Sequence, residues 1–339
     1  SSYFLLKRAS LHDFEYIEQD NFELKRIASQ FFKELEIDSS QTVIDSLSSF
    51  PTCKSTALTK GGKAIQLKIT IKGPFYYLQV AVSESAEKTE RFFSTLKFTD
   101  FTYKFPFENR IDSVLNFTVR SNYISPNPYS QMIRLGYEKK RNRKETEDKS
   151  YLSSKKKETY FSENYERVLV ERDKFHRYQY FKEIDTLFNQ ELESFSKKEK
   201  LEVKETKRGE ENGLPFVDAI FVDTNSNRTI RKKHMVANGT LYTLTANLDT
   251  LSKNSQFISE FFNSFTPYGF ENQLSLTESK SALFFEALVS SDSIEKERAL
   301  KSVVTTLVFD NADLDKIMEV ISTYSFPANH LESKAKLIR

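Results

Sequence analysis

The sequence predicts an α+β fold: two units, each an antiparallel sheet with helices, followed by an all-α tail. Three observations predict it. First, Ile65, Leu67, Ile69 and Ile71 alternate with Gln66, Lys68, Thr70 and Lys72, which is the period of a strand with one buried and one wet face. Second, the block carrying that alternation, residues 65–97, has a weakly matching partner in residues 229–265. Gly73-Pro74-Phe75-Tyr76-Tyr77-Leu78 lines up with Gly239-Thr240-Leu241-Tyr242-Thr243-Leu244, His12 with His176, Pro51 with Pro215, and Phe92-Phe93 with Phe261-Phe262. Order, spacing and residue class agree, so the period describes copied small domains, too long for a short-repeat solenoid. Third, from Ser279 onward the apolar residues recur at helical spacing only.

The elements follow in order. Phe4-Leu5-Leu6-Lys7, matched by Val168-Leu169-Val170-Glu171, is short and apolar and predicts a buried strand. Leu24, Ile27, Ala28, Phe31 and Leu35 form one helical stripe, with Asp20 and Glu23 spaced as a capping box. Phe181, Ile184, Phe188, Leu192 and Phe195 form its counterpart. Lys72-Gly73 and Asn238-Gly239 predict hairpin turns. Tyr76, Leu78, Val80 and Val82 share a face of the return strand, and a closing helix brings Phe92, Phe93 and Leu96 onto the sheet. The resulting unit is a sheet with its helices on one face.

Residues 1–104 make the first unit, N-terminally incomplete because the second is preceded by strand-like sequence that the first lacks. Phe98 to Phe107 is an aromatic-rich exit that reads as a linker or edge. Residues 111–270 make the second unit, opened by strands within 111–137; residues 204–212 read as a charged loop and Asn225 to Arg228 as a hairpin tip. In residues 279–339, Leu300, Val303, Val304, Leu307 and Val308 make one stripe and Leu314, Ile317, Met318 and Ile321 the next. Helical hairpins of this length suit the first units of a HEAT-like array.

Composition narrows the function. With 50 basic against 48 acidic residues, net charge nominates neither a nucleic-acid nor a membrane partner. No apolar run approaches the length of a membrane span. The single cysteine, Cys53, excludes an intrachain disulfide and a cysteine metal cluster; aligned with Val217, it reads as a small buried hydrophobe. No catalytic, metal-ligating or cofactor-binding constellation emerges. His12 and His176 are equivalent positions best read as structural, and Phe75, Tyr76, Tyr77 and the paired phenylalanines read as core sooner than as an apolar pocket between helix and sheet. The one interaction patch is basic: Lys139, Lys140, Arg141, Arg143, Lys144, Lys155, Lys156 and Lys157. Glu145, Glu147 and Asp148 dilute it, so a solvated loop or lysine-protected edge is the preferred reading over a phosphate site.

The motif of Gly, Tyr, Leu, an apolar strand and a Phe-Phe-x-Ser/Thr helix end resembles PsbP-like domains over residues 1–270. The paired units and helical tail resemble the C-terminal region of long bacterial envelope proteins of the TraB/GumN family. That resemblance implies a periplasmic or outer-membrane-associated scaffold segment with protein partners and no activity of its own. The alternatives are the accessory region of an envelope hydrolase whose catalytic domain lies outside this chain, or a ligand-binding module using the helix–sheet cleft.

Overall fold

The computed structural model describes residues 2–11, 17–37, 40–123, 153–251, 255–270 and 274–339. The first unit comprises β1 (Tyr3–Ser10), α1 (Asp20–Glu34), β2 (Gln41–Asp45), β3 (Thr52–Leu58), β4 (Ala64–Lys72), β5 (Phe75–Val82) and α2 (Ala86–Phe93). Its strands form one antiparallel sheet in the order β1-β5-β4-β3-β2. The alternating residues of β4 and β5 turn Leu67, Ile69, Leu78 and Val80 toward Leu24, Ile27, Ala28 and Phe32 of α1. Burying each such side chain contributes roughly 1.5–3 kcal/mol.

Helix α2 lies on the opposite face. Lys54 Nζ meets the Glu90 carboxylate at 2.8 Å, and Gln79 Nε2 and Lys68 Nζ donate to the carbonyls of Phe92 and Phe93. The helices therefore cover both faces, not one as expected. Lys54, Lys68 and Gln79 occupy the intervening positions of the alternation, and α2 supplies the Glu90 carboxylate for Lys54 and its end carbonyls for the other two.

The second unit comprises β6 (Glu108–Asp112), β7 (Phe117–Ser121), β8 (Ser154–Phe161), β9 (Arg167–Lys174), α3 (Ile184–Glu199), β10 (Glu202–Glu211), β11 (Leu214–Val222), β12 (Arg228–Ala237), β13 (Thr240–Asp249), α4 (Gln256–Ser264) and β14 (Thr266–Pro267). Six strands run in the order β10-β11-β12-β13-β9-β8, all antiparallel. The opening strands expected within 111–137 do not join this sheet: β6 and β7 pair with β14 in a separate three-stranded sheet. Leu115, Phe117 and Val119 pack with Phe257, Phe261, Phe262 and Phe265 under one face of the large sheet, while α3 covers the other. Coverage on both faces explains why β13 is an almost unbroken buried run.

From β9 to β13 the second sheet has the strand order of the first, with α3 inserted where α1 stands. The two-residue turns are Gly73-Pro74 and Asn238-Gly239, between the pairs Lys72–Phe75 and Ala237–Thr240. Gly73 therefore corresponds to Asn238, not to Gly239 as aligned above. What the turn needs at its first position is a positive φ, 54° at Gly73 and 48° at Asn238, and Asn tolerates that region. In both units the turn's second carbonyl accepts a hydrogen bond at 2.9 Å, from Leu11 N and from Phe175 N.

Two further strands depart from expectation. β1 is not buried: it is the sheet's edge, with Leu5 and Leu6 about half exposed, and among the described residues no strand pairs with its outer side. Its counterpart β9 is covered by β8. Residues 204–211 are not a loop but part of β10, exposed along almost its whole length, and Asn212 belongs to the turn that follows. A strand covered on neither face has no reason to alternate.

The tail consists of α5 (Ser281–Val289), α6 (Ser293–Thr305), α7 (Leu314–Thr323) and α8 (Leu331–Ile338). Helix α6 packs on α5 and α8, and α7 on α8. Its core closes around Tyr178 of the second unit, whose hydroxyl reaches Glu295 at 3.3 Å and whose carbonyl accepts from Thr306 Oγ1 at 3.0 Å. Of the second predicted stripe only Ile317 is buried; Leu314 and Met318 face solvent.

Candidate functional site

Among the described residues two main sets of contacts join the sheet units, and a cleft lies between them. Asp20, expected in a capping box with Glu23, makes no such cap: Gln19 is the N-cap and its side chain bonds nothing there. The Asp20 carboxylate instead accepts from Arg228 Nε at 3.1 Å, Ser226 Oγ at 2.8 Å and Asn227 N at 2.8 Å. Arg228 also donates to the Glu18 carbonyl. Both partners are almost fully buried, so the β11–β12 hairpin tip is bolted to the start of α1. The second contact is residues 94–107, which follow α2 without regular structure but are pinned by aromatic pairs. Phe98 meets Phe50 and Tyr77 edge to face at ring separations of 5.0 and 4.8 Å, and Phe101 meets Phe75 likewise at 6.4 Å. Tyr103 and Phe107 then pack on the second unit's core.

Between these contacts is a cleft of about 80 Å³. The first unit contributes the Gly73-Pro74 turn, Phe75, Tyr77 and Phe101; the second contributes Leu248, Asp249, Glu166 and Ile258. Phe75 and Tyr77 do line an apolar pocket, although it lies between the units and not between helix and sheet. Gly73 takes its positive φ here without strain, and a Cβ at this position would make ordinary contact with that of Asp249, at 3.6 Å.

The polar groups around the cleft are mostly engaged. Glu166, 4% exposed, accepts from the Tyr103 hydroxyl at 2.9 Å and Ser162 Oγ at 2.8 Å. Burial raises its pKa above the ordinary carboxylate range, and the hydroxyls of Ser255, Ser162 and Tyr103 and the charge of Arg8 oppose that rise. Burial, then the Glu166 charge, pushes the Tyr103 phenol up. Arg8 lies 4.9 Å above the Phe75 ring, a cation–π contact. Ser162 Oγ is held by the backbone N–H groups of Asn164 and Glu166, which ties it to a turn and leaves it no nucleophilic role. Asp249 Oδ1 accepts from Leu251 N at 2.8 Å, whereas Oδ2 is buried with no hydrogen-bond partner among the described residues.

The basic patch divides. Lys139, Lys140, Arg141, Arg143 and Lys144 lie outside the described residues. Lys155, Lys156 and Lys157 are on β8, the outer strand of the six-stranded sheet. Lys155 Nζ contacts Asp173 at 3.0 Å and Glu171 at 3.4 Å, so its charge is compensated locally. His12 lies outside the described residues. His176 sits beneath the tail, 6.4 Å from the Tyr178 ring, and burial followed by the charge of Arg298 holds its pKa down to about 4. Among the described residues no group of three His, Cys, Asp or Glu could hold a metal ion.

Cys53 is fully buried beside Ile69, and burial pushes its thiol up to about 12. The thiol is therefore expected to resist iodoacetamide in the native protein and to react at the normal rate in denaturant. Rapid native labelling, followed by mass spectrometry, would refute a purely structural cysteine.

No protein-family model matches the chain, and no curated protein matches it; the expected kinship with the TraB/GumN family has no support there. Among solved structures, the chain is similar to the cyanobacterial PsbP of Synechocystis sp. PCC 6803. The TM-score is 0.31 at 9% identity, over 51% of this chain and 99% of that one. It is also similar to the type VI secretion immunity protein TplEi of Pseudomonas aeruginosa, at TM-score 0.23 and 9% identity over 82% of this chain and 93% of that one. The same protein in complex with an "L" peptide gives 0.22, over 81% and 93%. Similarities of this size assign neither a fold nor a function; what the comparisons leave in place is an α+β chain with a low-scoring likeness to PsbP.

Proposed function

We propose that the chain is a non-catalytic, protein-binding scaffold segment of a bacterial envelope protein, and that the junction cleft receives an apolar anchor side chain of its partner. The observation that carries this reading is a preformed apolar cleft between two units whose surrounding hydroxyls and Glu166 carboxylate are already engaged with one another. Such a cleft suits a hot-spot residue seated in a desolvated pocket. The sheet units are, on this reading, copies of one ancestral unit, supported by the common strand order and turn geometry. The tail is, on this reading, the start of a HEAT-like array, supported by the packing of α6 on α5 and α8 and of α7 on α8. The envelope setting rests on the sequence resemblance.

Phe101 is half-buried at the cleft, so Phe101→Lys blocks the cleft without opening a core. The variant is expected to bind a partner isolated on the wild-type chain about 30-fold more weakly, the equivalent of roughly 2 kcal/mol for one anchor contact. Because the Phe101–Phe75 pair is also lost, a modest drop in melting temperature is expected, and affinity is compared at a temperature where both chains are folded. Equal affinities by calorimetry, or a wild-type chain that retains no polypeptide from envelope extract, would remove the proposal.

A further inference from the structure

Matched strand by strand from their turns, the two sheets differ in one interior layer. Facing α1, the four central positions of β4 and β5 are Leu67, Ile69, Leu78 and Val80, all buried. Facing α3, the same positions of β12 and β13 are Lys232, His234, Thr243 and Thr245. On β9, Glu171 stands directly opposite Thr243, and Asp173 opposite Leu241. Lys155 of β8 reaches both carboxylates, and Glu191 of α3 shares the electrostatic surroundings of Lys155, Glu171, Asp173 and Lys232. The Lys232 ammonium lies 4.0 Å from the centre of the Phe195 ring on α3. His234 Nδ1 is 2.9 Å from Thr243 Oγ1.

Among the described residues, His234 Nε2, Thr245 Oγ1 and Asp173 Oδ1 are buried and have no hydrogen-bond partner; His234 and Thr245 are each only 1% exposed. Each unpaired buried polar group costs roughly 1–3 kcal/mol. The first unit shows that the same layer can be filled with Leu, Ile and Val, so the polar set is not something the fold requires. It is the pattern of a site maintained at the expense of stability.

We propose that this layer binds a small carboxylic acid bearing an amino or hydroxyl group on the adjacent carbon. The Lys232 ammonium, the Thr245 hydroxyl and the His234 Nε2–H form a set of donors on two neighbouring strands and receive the carboxylate. With the Thr243 hydroxyl donating to Nδ1, the ring proton sits on Nε2, where the ligand needs it. Asp173 and Glu191 receive the amino or hydroxyl donor. Lys155 and Lys232 disfavour a metal cation in the same space, and the three carboxylates disfavour a phosphate dianion.

The test uses the full chain with L-alanine, L-lactate and acetate, read by melting temperature and calorimetric titration. L-alanine or L-lactate is expected to raise the melting temperature of the wild type, and acetate to do so far less; which of the two acts decides between amino and hydroxyl. Thr245→Val, which restores the valine of the first unit, is expected to fold normally and to bind at least tenfold more weakly. No shift with any of the three acids overturns the proposal, as does an undiminished response in Thr245→Val.

Discussion

Replacing Asp20 by alanine is expected to destabilise the protein by roughly 3–5 kcal/mol, the cost of stranding one partner of a buried ion pair. Asp20 and Arg228 are 5% and 4% exposed, so water cannot compensate the guanidinium that the substitution leaves behind. The loss reaches beyond the pair. The same carboxylate also holds Ser226 and the backbone of Asn227, so the hairpin tip keeps only the Arg228 bond to the Glu18 carbonyl and the bond from Asp20 N to the Asn225 carbonyl. The two sheet units are then expected to uncouple, and a single denaturant transition should broaden or divide into two. The double variant Asp20→Leu/Arg228→Met removes both charges and should recover much of the lost stability, because a desolvated ion pair is often no better than the apolar residues replacing it. A loss below about 1 kcal/mol for Asp20→Ala by urea titration would mean that the joint is held elsewhere.

The sequence could announce Asp20 only ambiguously, since an acidic residue in the first helical turn looks the same whether it caps that helix or grips a distant arginine. Periodicity was informative wherever one face of an element meets a core: β4, β5, α1 and α6 are all recognisable from spacing alone. It could not place β1, because four apolar residues suit a central strand and an edge strand equally, and only the pairing decides. It missed β10 for the converse reason, as exposure of both faces erases alternation. Matching Gly73 with Gly239 followed residue identity, whereas the backbone follows φ, which Asn238 satisfies. The cleft draws on residues far apart in the chain, and its local signal, the aromatic run at Phe75 and Tyr77, looks the same as a core strand. The polar layer did leave one: Lys232 and His234 occupy the places of Leu67 and Ile69, visible as soon as the turns are aligned by their first residue.

That layer also makes stability depend on pH. Burial, reinforced by the charges of Lys232 and Lys155, holds the His234 pKa down to about 3 from its ordinary 6.5. Above pH 6.5 the imidazole is neutral in folded and unfolded chains alike, and its burial costs nothing extra. Between pH 6.5 and 3 the unfolded chain takes up a proton that the folded one refuses, so stability falls with falling pH by about 1.4 kcal/mol per unit. By pH 5 the loss from His234 alone should be about 2 kcal/mol. His176, which is partly exposed, acts in the same direction with a smaller effect. Asp173, Glu191 and Glu166 act in the opposite direction, because burial raises their pKa values and the folded chain then binds protons more readily. Comparing the wild type with His234→Ile cancels those shared contributions to first order and installs the residue that the first unit carries at this place. The stability difference between the two, measured by urea unfolding, should widen in favour of the variant as pH drops from 7 to 5. A difference that stays flat over that range would mean that His234 is protonated in the fold, with a carboxylate of the layer close enough to hold the charge.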